Sequence, residues 1–200
     1  MKRIIFLLCA FVAALPFSNA QSDSENAGFF NDWQLGARVG INVSNMFGDV
    51  GNNSFLFSVN AGVVGNKSLT DKLGLAVEPH FSIEGQKLNG GYDRITYFNI
   101  PILVRYQVSD NFSAEGGLKM GIKVIEKTKF GTTGNTLRRN RFKTLAPGIV
   151  IGTTYNINEN WFAQFRYNIK LKDVVRVGGG DSEGSIIMLF QFCAGYLFGG

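Results

Sequence analysis

The chain has one histidine, His80, with Glu78 and Glu84 close to it. In an extended segment these three side chains lie on the same face, because side chains alternate along a strand. A histidine beside carboxylates can act as a general base when a nucleophile is in hydrogen-bond reach and a substrate can enter. A second group is cationic: Lys127, Lys129, Arg138, Arg139, Arg141 and Lys143 oppose only Glu126 and surround Gly131, Gly134 and Asn135. Such a segment reads as a mobile basic loop, either a solvated hairpin tip or a contact for an anionic partner. Gly178-Gly179-Gly180 lacks the strand-to-helix setting and the Gly-Lys-Ser/Thr of a phosphate cradle, so it reads as a loop tip. Cys9 and Cys193 are the only cysteines. Neither belongs to a Cys-x-x-Cys or metal-spaced cluster, and neither a metal nor a cofactor is expected.

The elements that position these residues begin with a leader. Lys2 and Arg3 precede an apolar run from Ile4 to Leu15, Pro16 breaks it, and Ser18-Asn19-Ala20 puts small residues at a cleavage site. Residues 1–20 therefore read as a secretory signal peptide, too short in its apolar run for a spanning helix. Residues 21–31 form a polar lead-in. Loss of Lys2 and Arg3 takes the formal charge from +5 to +3, too small a balance to argue for nucleic acid. Cys193 then stands alone, so no internal disulfide forms.

From Trp33 onward the period is two. Trp33, Leu35, Ala37, Val39, Ile41 and Val43 alternate with Gln34, Gly36, Arg38, Gly40, Asn42 and Ser44. A strand this long exceeds the mean globular strand and matches the roughly 9–11 residues needed to cross a bilayer at a tilt. The alternation recurs around Val59, Leu75, Ile102, Met120, Ile151, Phe165 and Phe192. Eight strands result, an even number. Three connections are short (66–72, 109–111 and 156–160) and four are longer (roughly 45–54, 85–94, 126–143 and 173–185). Short turns at one end and long loops at the other are the asymmetry of outer-membrane barrels. The predicted fold is an all-β, eight-stranded antiparallel up-and-down transmembrane barrel over 32–200, with both termini periplasmic. Trp33, Tyr106, Phe112, Tyr155, Trp161, Tyr196 and Phe198 would ring the periplasmic rim as an aromatic girdle, with Phe57, Phe81 and Phe98 toward the outer one. Pro79 and Pro101 fall inside central strands, where each removes a ladder donor and predicts a bulge or local break.

In this fold the inward polar set is Arg38, Glu78, His80, Glu84, Arg105, Glu115, Lys119, Lys123, Arg166 and Lys170. An eight-stranded barrel is just wide enough for side chains to fill. These charges are therefore expected to pair into a structural plug; the alternative is a narrow, cation-lined, porin-like pore. Lipid substrates would sit outside the wall while His80 faces inward, so no enzymatic activity is expected.

The stretch Tyr97-Phe98-Asn99-Ile100-Pro101-Ile102-Leu103-Val104-Arg105-Tyr106 resembles a motif of the outer-membrane β-barrel family common in Bacteroidetes, to which the gliding and secretion protein PorT belongs. Gly36 to Asn45, Leu75 to Ser82, and Phe165-Arg166-Tyr167-Asn168 resemble it too. Asn99 stands where members usually carry an acid, and Gly199 and Gly200 follow the terminal aromatic Phe198. The resemblance implies a Gram-negative outer-membrane location, the assembly machinery that inserts such barrels, and an accessory role in transport or secretion, beside the closed barrel displaying surface loops for structural or binding roles that the plugged lumen predicts. Membrane lipid and lipopolysaccharide are the expected partners, the latter through its phosphates on the basic loop; nucleic acid is not. The protein is expected to be a monomer.

Overall fold

The protein is described by a computed structural model over residues 33–47, 53–88, 91–130, 135–137, 144–170 and 186–198. The chain divides into two units, 1–31 and 32–200. The expected signal peptide and lead-in lie outside the described residues.

Eight strands pair in sequence order and close on themselves. They are β1 (Gln34–Phe47), β2 (Leu56–Ser68), β3 in two segments (Leu73–Val77 and His80–Leu88), β4 (Gly91–Ser109), β5 (Phe112–Phe130), β6 (Leu145–Asn156), β7 (Trp161–Lys170) and β8 (Ile186–Leu197). Every pair is antiparallel, and β1 meets β8 from Gly36↔Leu197 to Phe47↔Ile186. Two short segments, Asn53–Ser54 and Asn135–Leu137, add to the upper ends of β3 and β5. Closure leaves no edge strand to template aggregation.

Burial is inverted relative to a soluble domain. Leu118 is 67% exposed on the outer wall, while Arg166 is 1% exposed inside. Val39, Ile41, Ile102 and Val104 also face outward. A soluble sandwich would turn this apolar face inward, because exposing apolar area to water costs about 25 cal/mol per Å². Here that face meets lipid.

The short turns are built by side chains that accept backbone bonds. Thr70 Oγ1 accepts from Leu73 N at 3.0 Å, and Asn158 Oδ1 accepts from Trp161 N at 2.7 Å. Asp110 and Asn111 alone link β4 to β5.

Strands run into three of the four expected long loops, while the fourth, 173–185, lies outside the described residues. The described residues of 85–94 are strand rather than loop: β3 runs to Leu88 and β4 starts at Gly91. β1 continues to Phe47, and β5 to Phe130. Lys127 and Lys129 therefore stand on a strand, not in a mobile loop. The physical reason is that these strands outrun the bilayer. Beyond the lipid both faces are polar, and the apolar/polar alternation that marks a strand disappears.

Neither proline makes a bulge. Val77 pairs with Ile102 and His80 with Asn99, so the register runs unbroken past Glu78–Pro79. The β4–β5 irregularities lie instead between Thr96 and Tyr97 and between Gln107 and Ser109. Pro101 leaves the β3–β4 ladder one donor short opposite Glu78, whereas Pro79, whose carbonyl accepts from Val63 N at 3.0 Å, faces the β2–β3 ladder.

Candidate functional site: the lumen

The inward side chains assemble into two charged clusters. Glu78, at the opening in β3, collects three arginines from three strands. Arg166 from β7 forks onto it with Nη1 donating to Oε2 at 2.6 Å and Nη2 to Oε1 at 2.7 Å. Arg105 Nη2 from β4 donates to Oε1 at 2.6 Å, and Arg38 Nε from β1 lies 3.3 Å from Oε2. Glu115 from β5 takes Arg105 Nε at 2.9 Å, Thr154 Oγ1 at 3.1 Å, and Arg166 Nε. Three cations thus share two carboxylates. Charge-assisted, bidentate pairs are the strong kind of hydrogen bond, and guanidinium geometry permits one arginine to serve both acids.

Higher in the barrel, Glu84 meets Lys170 Nζ at 2.8 Å and Lys119 Nζ at 3.9 Å. Asn99 Nδ2 donates to Glu84 Oε1 at 3.1 Å. An acid at position 99 would instead set a second carboxylate against Glu84. Lys170 Nζ also lies 3.4 Å from the centre of the Tyr97 ring, a cation–π contact. Lys123 joins neither cluster; it pairs with Glu126 at 2.7 Å. The irregularity between Lys123 and Ile125 turns these two residues, three apart, to the same face.

His80 plays a backbone part. Glu78 N donates to Pro101 O at 3.2 Å, which makes residues 78 and 101 a hydrogen-bonded pair. The reciprocal bond would need an N–H on Pro101, which has none. His80 Nδ1 sits 2.9 Å from the Glu78 carbonyl oxygen. A carbonyl only accepts, so Nδ1 carries the proton and stands in for the missing donor. The imidazole is 1% exposed, and no nucleophile approaches its Nε2 among the described residues.

Between the clusters runs an amide ladder that the charge-based reading passed over. Asn60 Nδ2 donates to Asn42 Oδ1 at 2.7 Å, Gln191 Nε2 to the same oxygen at 3.1 Å, and Asn168 Nδ2 to Gln191 Oε1 at 3.0 Å. Gln164 bridges Arg38 and Glu78, at 3.2 Å on each side. Its signal in sequence was the shared inward parity of these positions. Apolar layers lie at both ends. Val64, Phe162 and Leu197 pack toward the end with the short turns, and Ile95, Tyr97, Ala146 and Ile187 toward the opposite end.

On the outer wall, Trp161 packs edge-on against Tyr196 with ring centres 5.1 Å apart, and Tyr196 lies 5.9 Å from Phe198. Phe112 is paired across strands with Tyr155, and Tyr106 with Leu73. The Trp33 ring lies over Gly65, where a Cβ would sit 3.1 Å from it. These aromatics occupy the end where the short turns are. At the other end the Phe81 and Phe98 rings meet at a tilt, with centres 5.1 Å apart. Of the six basic residues, Lys127 and Lys129 stand on β5; Arg138, Arg139, Arg141 and Lys143 lie outside the described residues. Among the described residues no group of three His, Cys, Asp or Glu side chains is placed to hold a metal ion.

A comparison with curated protein sequences found no match. Among solved structures, Neisserial surface protein A is similar over 82% of this chain and 97% of its own, at 8% identity and a TM-score of 0.60. Ail, the attachment invasion locus protein of Yersinia pestis, is similar over 84% of this chain and 99% of its own, at 13% identity and a TM-score of 0.51. At these identities the likeness is one of fold. The family model for the outer membrane protein beta-barrel domain matches residues 19–176. Eight closed strands, an apolar outer wall and this match make the chain a member of the outer membrane protein β-barrel domain family.

Proposed function

We propose that the protein is a non-enzymatic, non-conducting outer-membrane barrel that acts through what it displays at the cell surface. One observation supports this above others: the lumen is filled. Glu78, Glu84, Arg38, Lys119, Arg166 and Lys170 are each at most 3% exposed, in ion pairs lying between apolar layers. A water-filled channel would wet those charges. Buried charge without a partner is costly, so such a network holds the barrel shut rather than lining a path. His80 is committed to a backbone carbonyl and does not serve as a base. On this reading the chain acts as a monomer, inserted by the outer-membrane assembly machinery after export on a cleaved signal peptide, with no nucleic-acid partner. A narrower placement, among the PorT-like barrels of Bacteroidetes with an accessory role in secretion, is supported by the Tyr97–Tyr106 motif and the stretches Gly36 to Asn45, Leu75 to Ser82 and Phe165 to Asn168.

Planar-bilayer recording of the purified, folded protein tests the reading. It is expected to show no discrete openings above the lipid baseline. Stepwise, salt-dependent conductance would overturn it in favour of a narrow pore.

A further inference from the structure

The strongly charged patch left unused by this reading lies on the outside of the wall. Along β4 the outward residues are apolar or aromatic from Tyr106 up to Phe98, a length that matches the roughly 9–11 strand residues that cross a bilayer core. Above them the outward positions are Thr96, then Arg94 and Tyr92. On β5 the same change occurs between Ile125 and Lys127, and on β3 between Ile83 and Lys87. Cross-strand pairing sets Arg94 beside Lys127, and Tyr92 beside both Lys87 and Lys129. Four cations therefore share one outward patch at the level where acyl chains give way to headgroups.

The acids of these strands do not neutralise it. Asp93 is buried facing inward, and Glu126 is paired with Lys123. Among the described residues of β3, β4 and β5 at this level, no carboxylate faces outward. Beside the cations is a groove of about 540 Å³, between the top of β2 and the β3–β4 hairpin, with Phe57, Lys87, Tyr92 and Arg94 on its walls. Phe57 is 70% exposed at its lower side. The Arg94 guanidinium is held 4.5 Å from the centre of the Tyr92 ring, which fixes its direction.

We propose that this groove binds a phosphorylated, acylated glycolipid of the outer leaflet, with its phosphate on Arg94, Lys87 and Lys127 and an acyl chain along Phe57. Charge complementarity selects an anionic headgroup, and the apolar wall immediately below selects one that is lipid-anchored rather than free. The inference rests on the membrane-barrel reading but not on the lumen being closed, since a conducting barrel would carry the same outer patch.

The test uses the mature chain folded from denaturant into micelles free of bacterial lipid, with diphosphorylated lipid A as probe. Arms with its dephosphorylated form and with inorganic phosphate separate the sources. Wild type is expected to bind the diphosphorylated probe and to discriminate strongly against the dephosphorylated one. A cation beside an anionic lipid surface is worth about fivefold in affinity, so K87Q/R94Q/K127Q is expected to lose on the order of a hundredfold. Heat-modifiable gel migration checks that this variant is folded, and F57A is expected to weaken binding of the diphosphorylated probe. The proposal is overturned by equal binding of the dephosphorylated probe, by inorganic phosphate competing at micromolar levels, or by no binding at all. It is also overturned if R138Q/R139Q/R141Q abolishes binding while the wall triple leaves it intact. Bilayer recording reads the closed-lumen reading separately.

Discussion

Glu78→Gln is expected to destabilise the folded barrel by about 3–5 kcal/mol, the cost of breaking a buried ion pair by removing one partner. The carboxylate is wholly buried and touches Arg38, Arg105 and Arg166. Without its charge, three guanidiniums would share Glu115 alone. Equilibrium urea unfolding in thin phosphocholine vesicles measures this, read by fluorescence of Trp33 and Trp161, the only tryptophans. A loss below about 1 kcal/mol would show that the cluster is not held by charge.

The arginines are not equivalent in this network. The cluster has one more cation than anion, so removing an arginine balances it while removing an acid unbalances it further. Arg166 serves both acids, whereas Arg38 reaches Glu78 only at 3.3 Å and its Nη2 has no hydrogen-bond partner among the described residues. Arg38→Met is therefore expected to cost less than Arg166→Met, and both less than Glu78→Gln. The Glu78→Gln/Arg166→Met double variant should fall short of the sum of the singles, as contacting sites do.

How far the sequence foretold this depends on which physical signal each feature leaves. Strands inside the bilayer were legible because lipid and lumen enforce opposite chemistry on alternate residues, as at Val39 and Arg38. Where β3, β4 and β5 rise beyond the lipid that contrast ends, and residues 85–94 looked like a loop. Arg94 and Lys87 were readable in principle, because parity counted up from Phe98 and Ile83 puts both outside. The partners of Glu78 were not readable. Arg105 is 27 positions away on the neighbouring strand, and Arg166 is 88 away and reaches Glu78 only because the ring closes. The prolines were seen as two faults. Pro79 faces the β2–β3 ladder at Val63 while Pro101 opens the β3–β4 ladder opposite Glu78, and that depends on pairing that the sequence alone does not state.

That opening leads to the second large effect. His80→Ala is expected to cost about 1–3 kcal/mol through the Glu78 carbonyl alone, the penalty for a buried acceptor left unsatisfied, beyond whatever packing the ring provides. The part due to the hydrogen bond can be isolated, because Pro101 is the reason the bond is needed. Pro101→Ala supplies a backbone N–H aimed at the same carbonyl. Alone it should be nearly neutral, since the carbonyl is already served by His80 Nδ1 and relaxing a proline costs only about 0.4–1 kcal/mol through the unfolded chain. In the Pro101→Ala background, His80→Ala should lose only its packing part. The cavity left by the ring is common to both backgrounds and cancels from the cycle, so a coupling of about 1–3 kcal/mol remains. Equal costs of His80→Ala in the two backgrounds would mean that the imidazole is held for some purpose other than the missing ladder bond, and would reopen the question of what its Nε2 does in the lumen.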